Sequence, residues 1–182
     1  MTTTPLPNTN WETKVALCFS CGISSICGNK ITPRYLLKGD YNLILFVGSA
    51  PNEEDNIAGS PISNRLGDEL DIIIAQSIPN NFNICITNAV FCTPFKDSDL
   101  DAIRPPSLSE VNECREHIRA LIQRLQPRLI IALGKIAARS LKPICDFTEV
   151  VHPSSIFAST HPDLERTRAI LSIQEAIKDI SK

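Results

Sequence analysis

Three short apolar runs constrain the fold most: Leu43-Ile-Leu-Phe-Val47, Ile84-Cys-Ile-Thr87 and Leu129-Ile-Ile-Ala-Leu133. Apart from Thr87, their apolar character is continuous rather than alternating. That marks strands buried on both faces, as in a parallel sheet. Between them lie stretches with helical spacing. Over residues 65–78, Leu66, Leu70, Ile73 and Ile74 fall at i, i+4, i+7 and i+8, and Pro79 ends the pattern. Ser107-Leu-Ser-Glu110 is a capping box that opens a helix to about residue 125, with Val111, Cys114, Ile118, Leu121, Ile122 and Leu125 on one face. Gly134 opens a shorter helix ending at Leu141. Residues 147–151 read as a fourth strand, and 163–180 as a last helix. The alternation predicts an α/β fold around a four-stranded, mainly parallel sheet.

Bulk properties exclude several classes. A chain of 182 residues suits one domain with a proper core, and 43% apolar with 21% charged residues is ordinary for a soluble protein. No apolar run reaches the length of a membrane span. Residues 1–10 are polar and lack the basic-then-apolar pattern of a signal peptide, so a cytoplasmic protein is expected. The net charge of −2 argues against a generic basic nucleic-acid binder. A DNA enzyme with this balance needs a local basic face and binds weakly and briefly.

Seven cysteines are many for an intracellular chain of this size, and short spacings then point to metal before disulfide. Cys18 and Cys21 form a C-x2-C pair. Cys92 follows a strand, and Cys114 lies early in a helix. On ligand chemistry alone, these four thiolates suit zinc or an iron–sulfur cluster. Cys85 reads as strand core. Cys27 is a substitute ligand or a free thiol, and Cys145 has no evident partner. The segments 48–55, 88–92, 134–135 and 152–154 all follow strands, and the C-terminal strand ends of an open parallel sheet line one crevice.

Four segments in order, Cys18-Phe-Ser-Cys21, Phe46-Val-Gly-Ser-Ala-Pro-Asn-Glu-Glu-Asp55, Ile86-Thr-Asn-Ala-Val-Phe-Cys92 and Val151-His-Pro-Ser154, resemble the uracil-DNA glycosylase superfamily. The run 48–62 is similar to the GEAPG-x-x-E-D-x-x-G-x-P-F motif of the iron–sulfur family 4, with Gly48, Pro51, Gly59, Pro61 and Gly67 in register. The resemblance spans about residues 18–180. It implies a three-layer α/β/α sandwich in a single domain, 1–182, with 1–40 as a cluster-binding arm. It also implies a [4Fe-4S] cluster on Cys18, Cys21, Cys92 and Cys114. The implied activity is that of a monofunctional DNA glycosylase, with DNA as partner and the monomer as the expected state.

Matched position by position, the resemblance implies that Ser49, Ala50, Ile62 and Asn88 surround the base. It assigns Asp55 and His152 to catalysis. It places Ser154, Ser155, Ile156 and Phe157 in a wedge that fills the hole left by a flipped nucleotide. An amide such as Asn88 can pair with a pyrimidine edge, and a histidine can donate to a leaving base anion. Two positions depart from the pattern. Ser49 stands where the family has an acid. Ile62 stands where an aromatic would stack on the base, a contact worth about 1–3 kcal/mol. The chain is also shorter than usual before His152, and longer between Cys92 and Cys114, where residues 96–104 read as a loop insertion. The substrate is then either uracil or a deaminated base, or a bulky modified pyrimidine such as a hypermodified phage cytosine. The latter would make the protein a defence factor. A DNA-binding protein on an inactive glycosylase scaffold is the alternative.

Overall fold

The computed structural model describes residues 10–18, 20–21, 30–37, 42–96 and 99–181. Its elements in order are α1 (Asn10–Ala16), β1 (Arg34–Leu36), β2 (Leu43–Gly48), α2 (Glu53–Ala58), α3 (Asn64–Ser77) and β3 (Asn83–Asn88). There follow β4 (Phe95–Lys96), β5 (Asp99–Ile103), α4 (Leu108–Leu125), β6 (Leu129–Leu133), α5 (Gly134–Leu141), β7 (Thr148–Val150), α6 (Pro153–Ala158) and α7 (Pro162–Ile180).

The main sheet has the order β1-β3-β2-β6-β7. The pairs β3–β2, β2–β6 and β6–β7 are parallel, so the four expected strands form the expected parallel core. A fifth strand corrects the count. β1 pairs antiparallel with β3 at the edge, Tyr35 opposite Cys85. At three residues it is too short to carry a periodic signal. The stretch read as a loop insertion is instead a small hairpin, β4 with β5.

Burial on both faces explains the continuous apolar runs. Leu43, Leu45 and Val47 pack on one side with Trp11, Val111, Ile118, Leu121 and Leu141, from α1, α4 and α5. Ile44 and Phe46 pack on the other side with Leu70, Ile73, Ile156, Ala169 and Ile173, from α3, α6 and α7. The result is a three-layer α/β/α sandwich. The N-terminal helix is pinned by Trp11 and Val15, both buried in the same core. The Trp11 indole is buried, donates to the His117 carbonyl at 2.9 Å and meets the Phe91 ring edge-on at 5.7 Å.

Two ion pairs lock the helical layers. Arg104 binds both Glu110 oxygens, at 2.9 and 2.6 Å, and the same carboxylate completes the predicted capping box with Ser107. That pairing holds the Glu110 carboxyl below its usual range and ties the end of the hairpin to α4. Arg166 of α7 binds both oxygens of Glu69 in α3, at 2.5 and 2.9 Å. Glu69 is only 3% exposed. Removing one partner of such a pair leaves a buried charge, so Arg166→Ala should destabilise the fold by about 3 kcal/mol in denaturant titrations. Arg166→Lys should recover only part of that, because an ammonium cannot match the two-point geometry.

Candidate active site

The C-terminal ends of β2, β3, β6 and β7 converge on one side of the sheet. Beyond them opens a cavity of about 750 Å³. It is lined by Ser49, Ala50, Gly134, His152, Ser154 and Ser155, whereas Asp55, Ile62 and Asn88 are not among its lining residues. Ile103, Arg104 and Pro105, from the end of the hairpin, also line it, and sequence reading did not assign them to the site.

His152 is the best-defined group in the cavity. Extended backbone at φ −71° and ψ 143° makes it the N-cap of α6, with Pro153 as the first helical residue. Its Nδ1 accepts from the Ser154 backbone N–H at 3.2 Å and lies 2.8 Å from the Ser154 hydroxyl. An Nδ1 that accepts a backbone proton leaves the ring proton on Nε2. Burial lowers the pKa of the ring below its ordinary value, and the Asp55 charge opposes that shift only in part. The side chain is therefore a neutral imidazole with one free N–H to donate. Gly134 sits directly against it at φ +81°, and a Cβ there would lie 3.3 Å from the His152 Cβ.

Asp55 lies close enough for His152 to feel its charge, but its oxygens are committed. It is the third residue of α2, and its Oδ2 accepts from the Asn52 N–H at 3.2 Å in a capping box. Its Oδ1 accepts from both the backbone N–H and the hydroxyl of Ser63, each at 2.7 Å. At 3% exposure it is a buried, hydrogen-bonded carboxylate, in contrast to its exposed neighbours Glu53 and Glu54.

Asn88 ends β3 and is 2% exposed, yet both its amide oxygen and its amide nitrogen lack a hydrogen-bond partner. Buried polar groups are nearly always paired, and an unmade amide bond costs about 1–3 kcal/mol. The Asn88 oxygen lies over Gly48, 2.4 Å from where a Cβ would stand, with the Ile62 Cδ1 2.9 Å from the same point. Ile62 is 3% exposed and adopts φ +51°. That left-handed conformation in a β-branched residue costs on the order of 1–3 kcal/mol.

The expected wedge needs one correction. Residues 153–158 form α6 rather than a loop, and Ile156 is 0% exposed, anchored among Leu70, Ile173 and Ile177. It is a core residue and cannot reach DNA. Ser154 and Ser155 are exposed. Phe157 is half-buried, with the Arg65 guanidinium 4.1 Å above its ring. Nothing in the sequence paired Arg65 with Phe157, because they meet only where α3 passes α6.

The cysteines gather beneath the sheet on the α4 side. Cys92 and Cys114 are buried in one apolar cluster, and Cys21 packs on it. Burial pushes the Cys114 thiol up to about 12, and the neighbouring Cys21 and Cys18 act in the same direction. Cys18, Cys21 and Cys114 are thus within electrostatic reach of one another. An all-sulfur set of this kind fits a soft metal or a cluster. As they stand, no three ligating side chains among the described residues converge closely enough to hold an ion. Cys27 lies outside the described residues. Cys85 is core, its thiol pushed up to about 12 by burial.

Residues 40–170 match the model of the uracil DNA glycosylase superfamily. Among characterised proteins, the chain is similar to type-4 uracil-DNA glycosylases. Identity is 27% over 103 residues with that of Archaeoglobus fulgidus, covering 57% of this chain and 49% of the relative. It is 33% over 98 residues with that of Pyrobaculum aerophilum, covering 54% and 47%. It is 32% over 102 residues with that of Thermotoga maritima, covering 54% and 50%. The matched stretch spans about half the length of each relative. The match of 40–170 takes in β2, β3, β6, β7 and His152 and covers well over half of the sequence, so the chain belongs to the uracil-DNA glycosylase superfamily.

Proposed function

We propose that this protein is a monofunctional DNA glycosylase that flips a nucleotide from DNA and hydrolyses its N-glycosidic bond. The observation that carries the reading is His152, a neutral imidazole held by Ser154 with its free N–H on the cavity side of the sheet. Breaking the bond expels the base as an anion and leaves a cationic sugar. The His152 Nε2–H donates to the developing negative charge. Asp55 supplies a buried carboxylate that favours the cation. Asn88, with its amide unpaired, reads the base. Ser154, Ser155 and the Arg65–Phe157 pair face the DNA beside the vacated stack.

Cys18, Cys21, Cys92 and Cys114 hold a [4Fe-4S] cluster in this reading. Its part is structural, tethering the N-terminal arm to α4. DNA is the partner, and the protein acts as a cytoplasmic monomer. None of the helices among the described residues is long and apolar enough to cross a membrane.

The base is uracil or a deaminated relative, or a bulky modified cytosine of the kind found in phage DNA. The wide cavity and the loss of the stacking aromatic at Ile62 support the second. A panel of DNAs carrying uracil, hypoxanthine, and methylated, hydroxymethylated or glucosylated cytosine, scored for abasic sites, separates them. We expect abasic sites with at least one substrate. Ser49 in place of an acid, together with an Asn88 amide sealed from solvent, favours a second reading as a DNA-binding protein without catalysis. Binding with no abasic site across the panel would establish it.

A further inference from the structure

We infer that Ile62 is a gate over Asn88, and that the residue at this position sets access to the base-reading amide. The inference rests on Asn88 being the base reader. Its amide is buried with neither atom paired, a state that a pyrimidine edge would relieve. In this proposal the Ile62 side chain is what blocks access. The tips of Asn88 and Ile62 meet over Gly48, whose missing Cβ leaves room for both. With Ile62 itself buried, a base reaches the amide only after Ile62 moves.

The backbone at Ile62 is strained and its neighbours are held, so the movement falls to the Ile62 side chain. Ile62 and Asn64 are both left-handed, each at φ +51°, a conformation that strongly disfavours a β-branched residue. Ser63 between them is clamped twice by Asp55. On the far side, the absence of a side chain at Gly67 lets α3 press against the Ile62 carbonyl, where a Cβ would come within 2.6 Å. Asp55 and Gly67 thus hold the segment at its two ends, while Ile62 carries the strain in the closed state. Asp55 acts here as a positioning residue through Ser63.

The test follows the Asn88 side-chain amide directly, by hydrogen exchange in nitrogen-15-labelled protein, together with binding of free uracil and cytosine. Ile62→Ala removes the gate. Exchange of the Asn88 amide should accelerate, and a free base that fits should bind about 10- to 100-fold more tightly, the gain expected when a competent state populated at about 1–10% becomes dominant. Ile62→Val, which keeps most of the side chain, should behave as wild type and controls for folding. Accelerated exchange with no base bound by either protein would support the gate and refute Asn88 as the base reader. Exchange in Ile62→Ala unchanged from wild type, or an Asn88 amide in the wild type that exchanges as fast as an exposed one, would overturn the gate.

Discussion

His152→Ala is expected to lose about 10²–10⁴-fold in single-turnover base release, the usual effect of removing a positioned acid–base group. DNA affinity should be little changed, since phosphate contacts supply most of it. The active species is the neutral ring. With the pKa of His152 depressed below the ordinary 6.5, the rate should be flat through neutral pH and should fall as pH drops through the depressed value, because protonation brings a cation into a buried site. A rate that climbs on acidification would mean that the imidazolium is the catalyst and would overturn the assignment. Stability follows the same sign. The unfolded chain takes up the proton more readily, so stability is full above about pH 6.5 and falls as pH drops towards the folded pKa. His117, also depressed by burial, adds to the fall. Asp55→Asn should impair release as well, but with a loss of stability, because it disrupts the capping box and the Ser63 clamp together.

Protein purified without oxygen should be brown and carry about four irons per chain, the stoichiometry of a [4Fe-4S] cluster. Structural metal sites supply on the order of 10 kcal/mol of folding free energy. Cys92→Ser and Cys114→Ser should therefore each lose the metal and lower the melting temperature sharply. Cys114 is decisive, because burial holds its thiol neutral up to about 12, and only a bound metal would keep it as a thiolate. Cys27→Ser should retain both colour and stability. Colourless protein with one zinc per chain would replace the cluster with a four-thiolate zinc site.

The sequence by itself determined the parallel core. The runs 43–47 and 129–133 are apolar at every position, and 84–87 at all but Thr87, because both sheet faces are covered, and that signal is local. It determined the start of α4 too, since a capping box is written within four residues. Of the motif positions, Ser49, Ala50, His152, Ser154 and Ser155 line one cavity, and Asp55, Ile62 and Asn88 lie outside its lining. What only the tertiary structure decided depends on neighbours distant in sequence. The motif marked Asp55 for catalysis, and only the fold shows that it is buried and hydrogen-bonded to Ser63. Ile156 read as a wedge, but α6 turns its side chain into the core. β1 is too short for a periodic signal and exists because β3 offers it an open edge. Ile62 read as room for a larger base. The fold also sets it beside Asn88 over Gly48, on a left-handed backbone flanked by the Asp55–Ser63 hydrogen bonds and the close approach of Gly67, none of which is written at position 62 itself.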